Sequence, residues 1–210
     1  GRGAVLLWQD RVAGRPADWA AERLLETGFL SNGRFVLPDS RTERDAWFAG
    51  LFALFPELSP LGEKLPLRSG DETIALVDRR LFRPLGLPTV CVRLWILEGE
   101  RFWLGSEAHR SGAESCISPL GIGGFTIPRE ALFREAYEEA GLDLQALPLT
   151  EGPRFEEDRL VPEGRLVETT VNRVLRVSTP PVLTARDGEV DRFESFSVEE
   201  VRSLIRSRSE

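Results

Sequence analysis

Three glutamates with helical spacing are the feature of this sequence that points most directly to chemistry. Glu135, Glu138 and Glu139 lie within nine residues, Arg134–Leu142, and residues three or four apart share one face of an α-helix. Clustered carboxylate oxygens bind hard divalent cations such as Mg²⁺. The alternative is a solvated acidic face, which is common on surface helices. Spacing alone leaves both interpretations open.

The elements that must position these glutamates can also be predicted. A glycine-rich turn, 121–124, leads toward the helix, and Gly141 is placed to end it. An apolar face adjoins the glutamates and is predicted to pack into a core; it consists of Leu132, Phe133, Ala136 and Ala140. The glutamates would therefore lie on a helix whose neighbouring face is held by the core.

The segment REAYEEAGL at 134–142, preceded by Gly123 and Gly124, resembles the Nudix box. That motif runs from a glycine, through a glutamate, to Arg-Glu, an aliphatic residue, any residue, Glu-Glu, any residue, Gly and an aliphatic residue. Ala136 is smaller than the usual aliphatic residue, whereas the other specified positions match. The resemblance implies an α/β fold, a Nudix α/β/α sandwich with a mixed sheet, in which this helix carries the active site.

The resemblance also implies roles for particular residues. Mg²⁺, with Mn²⁺ as a substitute, would be held by Glu135, Glu138 and Glu139, and Glu138 also counts among the catalytic residues. Arg134 is expected to orient Glu138, which lies four residues further on. The substrate-binding loop would contain Gly123 and Gly124, because glycine lets a backbone approach closely.

Glu189, in the run Asp-Gly-Glu, is a candidate for a further carboxylate. Many members of the family place such a group opposite the box, where it acts as a metal ligand or as the general base. The alternative is an ordinary acidic residue in a turn.

The first half of the box does not fit the family spacing. With Gly124 as the box glycine, the segment before Arg134 is four residues short, and four residues inserted between Ile127 and Pro128 would restore it. The absence of methionine from all 210 residues is a second irregularity. One possibility is that the loop is truly four residues shorter; Glu130 would then replace the glutamate of the box, although it is out of register with the helix. The other is that four loop residues are absent from the sequence as written.

Composition narrows the classes of function. The net charge of −7 argues against binding to a nucleic acid polymer, which requires a basic surface, and it requires a cation to mediate the approach of an anionic substrate. The two cysteines, Cys91 and Cys116, do not suggest a disulfide framework. The longest apolar stretch, 47–55, is too short to span a membrane. These features predict a cytoplasmic protein without a membrane anchor.

We expect two domains, an α+β extension at 1–88 and a Nudix domain at 89–210. The extension is predicted to contain helices at 18–27 and 42–55, strands at 33–38 and 71–78, and a link at 81–87. The second domain is predicted to contain strands at 88–97, 101–105, 148–155, 167–177 and 189–196 and a last helix at 197–205. This arrangement resembles the Nudix subgroup related to the domain fused to thiamine pyrophosphokinases, which has an N-terminal extension.

Two functions follow from the resemblance. The first is a Mg²⁺-dependent diphosphatase acting on a nucleoside-diphosphate or thiamine-diphosphate-like small molecule. The second is a catalytically impaired Nudix-fold domain that binds or regulates, which a shortened loop would favour. A relative of isopentenyl-diphosphate isomerase is a weaker third interpretation, because neither cysteine has a recognisable catalytic setting. Nudix proteins often dimerise, so the resemblance is compatible with a homodimer.

Overall fold

The computed structural model describes residues 3–28, 30–107, 117–118, 128–186 and 190–207. The chain divides into two compact units, each of which is discontinuous in sequence. The first consists of Gly1–Val90 and Glu156–Thr169, and the second of Cys91–Phe155 and Thr170–Glu210. The division into domains at 1–88 and 89–210 stays a prediction.

The N-terminal part is a small α+β structure. Its mixed four-stranded sheet has the order β2-β1-β4-β3, in which β1 and β4 are parallel, and β5 and β6 form a separate antiparallel hairpin. Its elements are β1 (Leu6–Trp8), β2 (Arg11–Gly14), α1 (Asp18–Glu26), β3 (Leu30–Ser31), β4 (Arg34–Val36), α2 (Arg41–Gly50), β5 (Lys64–Ser69), β6 (Glu72–Asp78) and α3 (Phe82–Leu85).

The remaining elements centre on a six-stranded sheet with the order β10-β11-β7-β8-β12, in which a short strand β9 also pairs with β8. They are β7 (Pro88–Glu98), β8 (Arg101–Glu107), β9 (Ile117–Ser118), α4 (Pro128–Ala140), β10 (Leu149–Val161), β11 (Gly164–Val177), β12 (Val190–Ser197) and α5 (Val198–Ser207). Strand β8 is antiparallel to β7, β9 and β12. The expected α/β fold class is confirmed.

Helix α4 is fixed to the sheet through one face of β7. Along that strand Val92, Leu94 and Ile96 are all buried, as the period of two in a strand requires. They share a core cluster with residues of α4, β11 and the segment after α4, namely Leu132, Ala136, Ala140, Leu144 and Leu175. The alanines at 136 and 140 have small side chains, which let the helix lie close to the strand. This packing leaves the glutamate-bearing side of the helix beside the core face.

The register of β8 shows on which side of this strand β9 lies. Strand β8 pairs with β7 as far as Trp103, opposite Ile96. Further along, Ser106 pairs with Arg192 of β12 and also with Ile117 of β9. Because a residue has only two strand edges, β9 must occupy the edge that faces β7. Strand β9 therefore lies on the β7 side of β8, and residues 119–127 connect it to α4.

Two details of the predicted extension were wrong. The segment 81–87 is not a link, because α3 lies within it and Leu81, Phe82 and Leu85 are buried in the first unit. The helix predicted at 42–55 is shorter: α2 begins at Arg41 and ends at Gly50. Its N-terminus is capped by the Ser40 side chain, which accepts a hydrogen bond from the backbone N–H of Glu43.

Candidate functional site

Helix α4 begins with a proline, and it ends before Gly141, the residue that was predicted to end it. Pro128 is tolerated in a first turn, where the missing N–H would have no intrahelical partner. Gly141 adopts φ +68°, a left-handed conformation that favours glycine. Its N–H donates to the carbonyl of Tyr137 at 3.0 Å, and the N–H of Leu142 donates to that of Ala136 at 2.9 Å. The last turn, which carries Glu138 and Glu139, therefore ends in a defined geometry.

Arg134 joins two of the three glutamates. Its Nη1 donates to Glu138 Oε2 at 2.8 Å, and its Nη2 donates to Glu135 Oε1. The Arg134 and Glu138 side chains are about half exposed, at 54% and 47%, whereas that of Glu135 is 17% exposed. The orienting role of Arg134 toward Glu138 stays a prediction. An exposed pair of this kind contributes little stability, so we interpret the contact as positional.

We call the face of α4 that carries Glu135, Glu138 and Glu139 the glutamate band. Glu139 lies on the inner edge of this band, beside the core, and is only 6% exposed. It shares that edge with Ala136 and Ala140, which belong to the core cluster. A buried carboxylate is costly unless hydrogen bonds or a cation compensate it. The glutamate band of α4 thus runs from a solvent-exposed carboxylate at Glu138 to a buried one at Glu139.

The donor set is suited to a hard divalent cation, although the described residues alone do not complete a site. Within the described ranges, no three Asp, Glu, His or Cys side chains come close enough together to hold a metal ion. Arg134 occupies one oxygen of Glu135 and one of Glu138. Glu135, Glu138 and Glu139 are the described residues that would contribute oxygen ligands to such an ion.

Three predicted site residues lie outside the described residues. They are the loop glycines Gly123 and Gly124 and the additional carboxylate Glu189. The separation of Ile127 and Pro128, which bears on the shortened spacing, lies outside them as well.

A contact at the C-terminal end of α4 was not predicted from the sequence. The guanidinium of Arg186 lies over the Tyr137 ring, with Cζ 4.9 Å from its centroid. The backbone N–H of Thr184 donates to the carbonyl of Ala140 at 3.0 Å, and Leu183 packs against the core cluster. The chain entering β12 is therefore attached to the last turn of the glutamate helix. Only the arginine directly before Asp-Gly-Glu could have suggested this contact.

No protein-family model and no curated protein matches this chain. Solved structures, in contrast, do match this chain. A protein of Deinococcus radiodurans is 18% identical, with 69% of this chain and 90% of that chain covered, at a TM-score of 0.50. A NUDIX hydrolase from Nitrosomonas europaea is 18% identical over 55% of this chain and 76% of its own, at 0.39. The dihydroneopterin triphosphate pyrophosphohydrolase of E. coli is 15% identical over 56% and 84%, at 0.40.

At this level of identity the likeness is one of fold. The similarity to the Deinococcus protein supports the α/β architecture described above and carries no activity over to this chain. Among the described residues, no helix is long and apolar enough to cross a membrane.

Proposed function

We propose that this protein is a divalent-metal-dependent hydrolase of a diphosphate linkage, with a nucleoside-diphosphate or thiamine-diphosphate-like compound as substrate. The observation that carries the proposal is the geometry of α4. A core-anchored helix presents Glu135, Glu138 and Glu139 in one band, joined in part by Arg134 and ended by Gly141. These are also the residues that resemble the Nudix box.

The charge of the molecule explains why such a reaction would need a metal. The chain carries a net charge of −7, and a diphosphate is strongly anionic. Mg²⁺, or Mn²⁺ in its place, would neutralise the phosphate oxygens and activate the attacking water. Glu135, Glu138 and Glu139 would contribute ligands to the ion, since carboxylate oxygens are its preferred ligands, and further groups would have to complete the site.

The protein's own groups would position the reactants. Arg134 holds the carboxylates of Glu135 and Glu138 in fixed orientations through hydrogen bonds. Glu189 would accept a proton from water or serve as a further ligand, and the glycines at 123 and 124 would let the loop approach the substrate. A cytoplasmic location and a homodimer are part of the same proposal.

The second candidate is a Nudix-fold domain that binds a ligand without cleaving it. The spacing between Gly124 and Arg134, four residues shorter than the box requires, favours this candidate. In that case the contact of Arg134 with two of the glutamates would be a structural feature of the helix surface.

A hydrolysis screen with the full chain tests both candidates. The panel contains nucleotide sugars, dinucleotides, nucleoside triphosphates and thiamine diphosphates, each with and without Mg²⁺. Glu138→Gln should reduce turnover of the active class by at least about 100-fold, because it removes a charged ligand. Glu199→Gln removes a charge from an exposed position in α5 and should leave turnover unchanged.

Each outcome favours one candidate. Metal-dependent turnover of one class that Glu138→Gln abolishes would support the hydrolase and identify its substrate. A folded protein that turns over none of the compounds would favour the binding domain and direct attention to residues 1–88.

A further inference from the structure

We propose that two copies of this chain pair with each other through the outer edges of strand β10, so that their six-stranded sheets form one continuous sheet. The inference rests on the proposed function, because it specifies the surface of the homodimer that is part of that proposal. Three observations support it: the exposure of this edge, the position of its apolar side chains and the order of its charges.

Strand β10 is an open edge of the six-stranded sheet. It stands at one end of the strand order, and among the described strands only β11 pairs with it. It has 13 residues, and every residue from Pro153 to Leu160 is exposed. The strand at the opposite end, β12, has 8 residues, and those at 193–197 are partly buried. Unpaired N–H and C=O groups along a long edge form a template for a further strand.

Two large apolar side chains of this strand lie in solvent. Phe155 is 59% exposed, and Leu160 is 73% exposed. Single exposed apolar residues are normal on a protein surface. These two lie on an unpaired strand, however, where a partner strand would bury them against cross-strand neighbours. The edge therefore offers apolar contacts as well as backbone hydrogen bonds to a second copy.

Symmetry restricts the ways in which this strand can pair with itself. A two-fold axis perpendicular to the sheet brings two copies together antiparallel, and the residue on the axis lies opposite its own copy. Opposed side chains share one face of the sheet, so the positions of opposed residues differ by an even number. An axis at Arg154 or at Glu156 would bring like charges together. An axis at Phe155 brings two aromatic rings together, which is a favourable cross-strand pair.

The charges on either side of Phe155 are complementary under this symmetry. Arg154 is opposite Glu156 of the second copy, and Glu151 is opposite Arg159 of the second copy. Each of these relations occurs twice, once on either side of the axis. No two residues of like charge are opposed along 149–161 in this register. Opposite charges that face each other across strands stabilise pairing, whereas like charges weaken it.

The competing explanation is that the charges and Pro153 keep this edge from pairing, which is a common protection of edge strands. Protection is strongest when like charges meet, and the mirrored order of opposite signs about Phe155 has the reverse effect. Proline lacks only its own N–H, so Pro153 removes at most one hydrogen bond of the new ladder from each copy.

Sedimentation velocity of the full chain over a range of micromolar concentrations tests the proposal, and the wild type should dimerise. Arg154→Glu should raise the Kd of the dimer at least about 10-fold, because it places like charges opposite each other on both sides of the axis. Glu156→Arg should do the same. The two variants mixed together should form a heterodimer, since the acids of one copy then face the arginines of the other. Arg206→Glu, which reverses the charge of an exposed arginine in α5, is the matched control and should leave the Kd unchanged.

Disulfide trapping tests the register. Phe155→Cys should cross-link two copies under mild oxidation, because the Cα atoms of a residue opposite its own copy lie about 4.5–5.5 Å apart, within the range of a disulfide. Leu160→Cys is the control and should not cross-link, since its two copies would lie about 33 Å apart along the strands. Both variants retain the same native cysteines.

Several results would overturn the proposal. They are a monomeric wild type, a dimer whose Kd is unchanged in Arg154→Glu and Glu156→Arg, a mixture of these variants that forms no heterodimer, and cross-linking of Leu160→Cys in place of Phe155→Cys. Failure of the hydrolase proposal has a different signature, since it would be an absence of turnover in a protein that still dimerises through β10.

Discussion

Arg44 is a buried arginine whose hydrogen bonds explain its structural role. It is 3% exposed, and its guanidinium donates to the backbone carbonyls of Ile74, Pro38 and Asp39, the contact to Pro38 measuring 3.0 Å. Its Cζ also lies 5.2 Å from the centroid of the Trp8 ring. A buried charge is tolerated when hydrogen bonds compensate it. Arg44 therefore connects α2 to β6 and to the segment before the helix.

Replacing Arg44 by methionine should destabilise the protein by about 2–4 kcal/mol, because buried carbonyls would lose their donor. Arg41→Met is the matched control, since Arg41 is exposed in the same helix, and it should change stability by less than about 0.5 kcal/mol. Urea unfolding followed by tryptophan fluorescence measures both values. Equal losses in the two variants would show that the buried contacts of Arg44 do not contribute.

The candidate site was predictable at the residues whose spacing is local. The band formed by Glu135, Glu138 and Glu139, and the end of the helix at Gly141, follow from helical periodicity and from glycine's tolerance of positive φ. The contact of Arg186 with the helix was not predictable. It joins residues about 50 positions apart, and no local pattern specifies which segment returns to the end of a helix.

At the scale of elements, the sequence predicted the strongly patterned segments and missed those with unusual turn chemistry. Strand β7 and helix α4 were expected because apolar residues recur with the period of each element. The hairpin of β1 and β2 was missed because its turn residues, Gln9 and Asp10, adopt φ of 46° and 61° without a glycine. Strand β5, which contains Pro66, was not predicted, because proline within a segment argues against a strand although it is compatible with an edge strand.

Helix α5 begins with a reciprocal capping arrangement that depends on ionisation. The Ser197 N–H donates to Glu200 Oε2 at 2.6 Å, and the Glu200 N–H donates to Ser197 Oγ at 3.3 Å. The hydrogen bond from the Ser197 backbone, then that with its side chain, holds the pKa of Glu200 below its usual 4.5, and Arg101 lowers this pKa further. The charged form of Glu200 is thus favoured in the folded state.

This shift predicts how acid affects stability. A carboxylate whose pKa is lower in the folded than in the unfolded state contributes stability above its unfolded pKa, and the contribution is lost as the pH falls through the folded pKa. Glu200→Gln should therefore reduce the free energy of unfolding at neutral pH and flatten its decline below about pH 4.5. Glu199→Gln removes the neighbouring charge without removing the cap. Unfolding curves between pH 3 and 7 that coincide for Glu200→Gln and the wild type would contradict the assignment.

At the scale of the whole molecule, the first compact unit is completed by a distant part of the sequence. The end of the β10–β11 strand pair, Glu156–Thr169, belongs to the same unit as the N-terminal 90 residues. Arg83 Nη1 forms an ion pair with Glu163 Oε2 at 3.2 Å, and Thr89 Oγ1 donates to the Val167 carbonyl at 3.1 Å. A prediction based on contiguous segments could not find this unit, because composition does not record which strand ends return to an earlier segment.

Gly164 provides a test of that association in the intact chain. A Cβ at this position would lie 2.3 Å from the carbonyl oxygen of Arg83, and the residue adopts φ +145°. Gly99 is the matched control, because it has φ +59° in a turn where a Cβ would meet nothing within 4 Å. Gly99→Ala should cost about 1 kcal/mol, the conformational penalty alone, whereas Gly164→Ala should cost at least about 3 kcal/mol, since backbone must also move.

Hydrogen exchange locates the effect of this substitution. In Gly164→Ala the loss of protection should concentrate in the first unit, including residues 156–169, because the added methyl group separates the strand end from α3. Similar costs for Gly99→Ala and Gly164→Ala, with unchanged protection at 156–169, would show that the strand end contributes little to the first unit. A larger cost for Gly164→Ala than for Gly99→Ala, with the loss of protection confined to the first unit, would show that residues 156–169 stabilise that unit. In the sequence these residues lie between the two segments of the second unit.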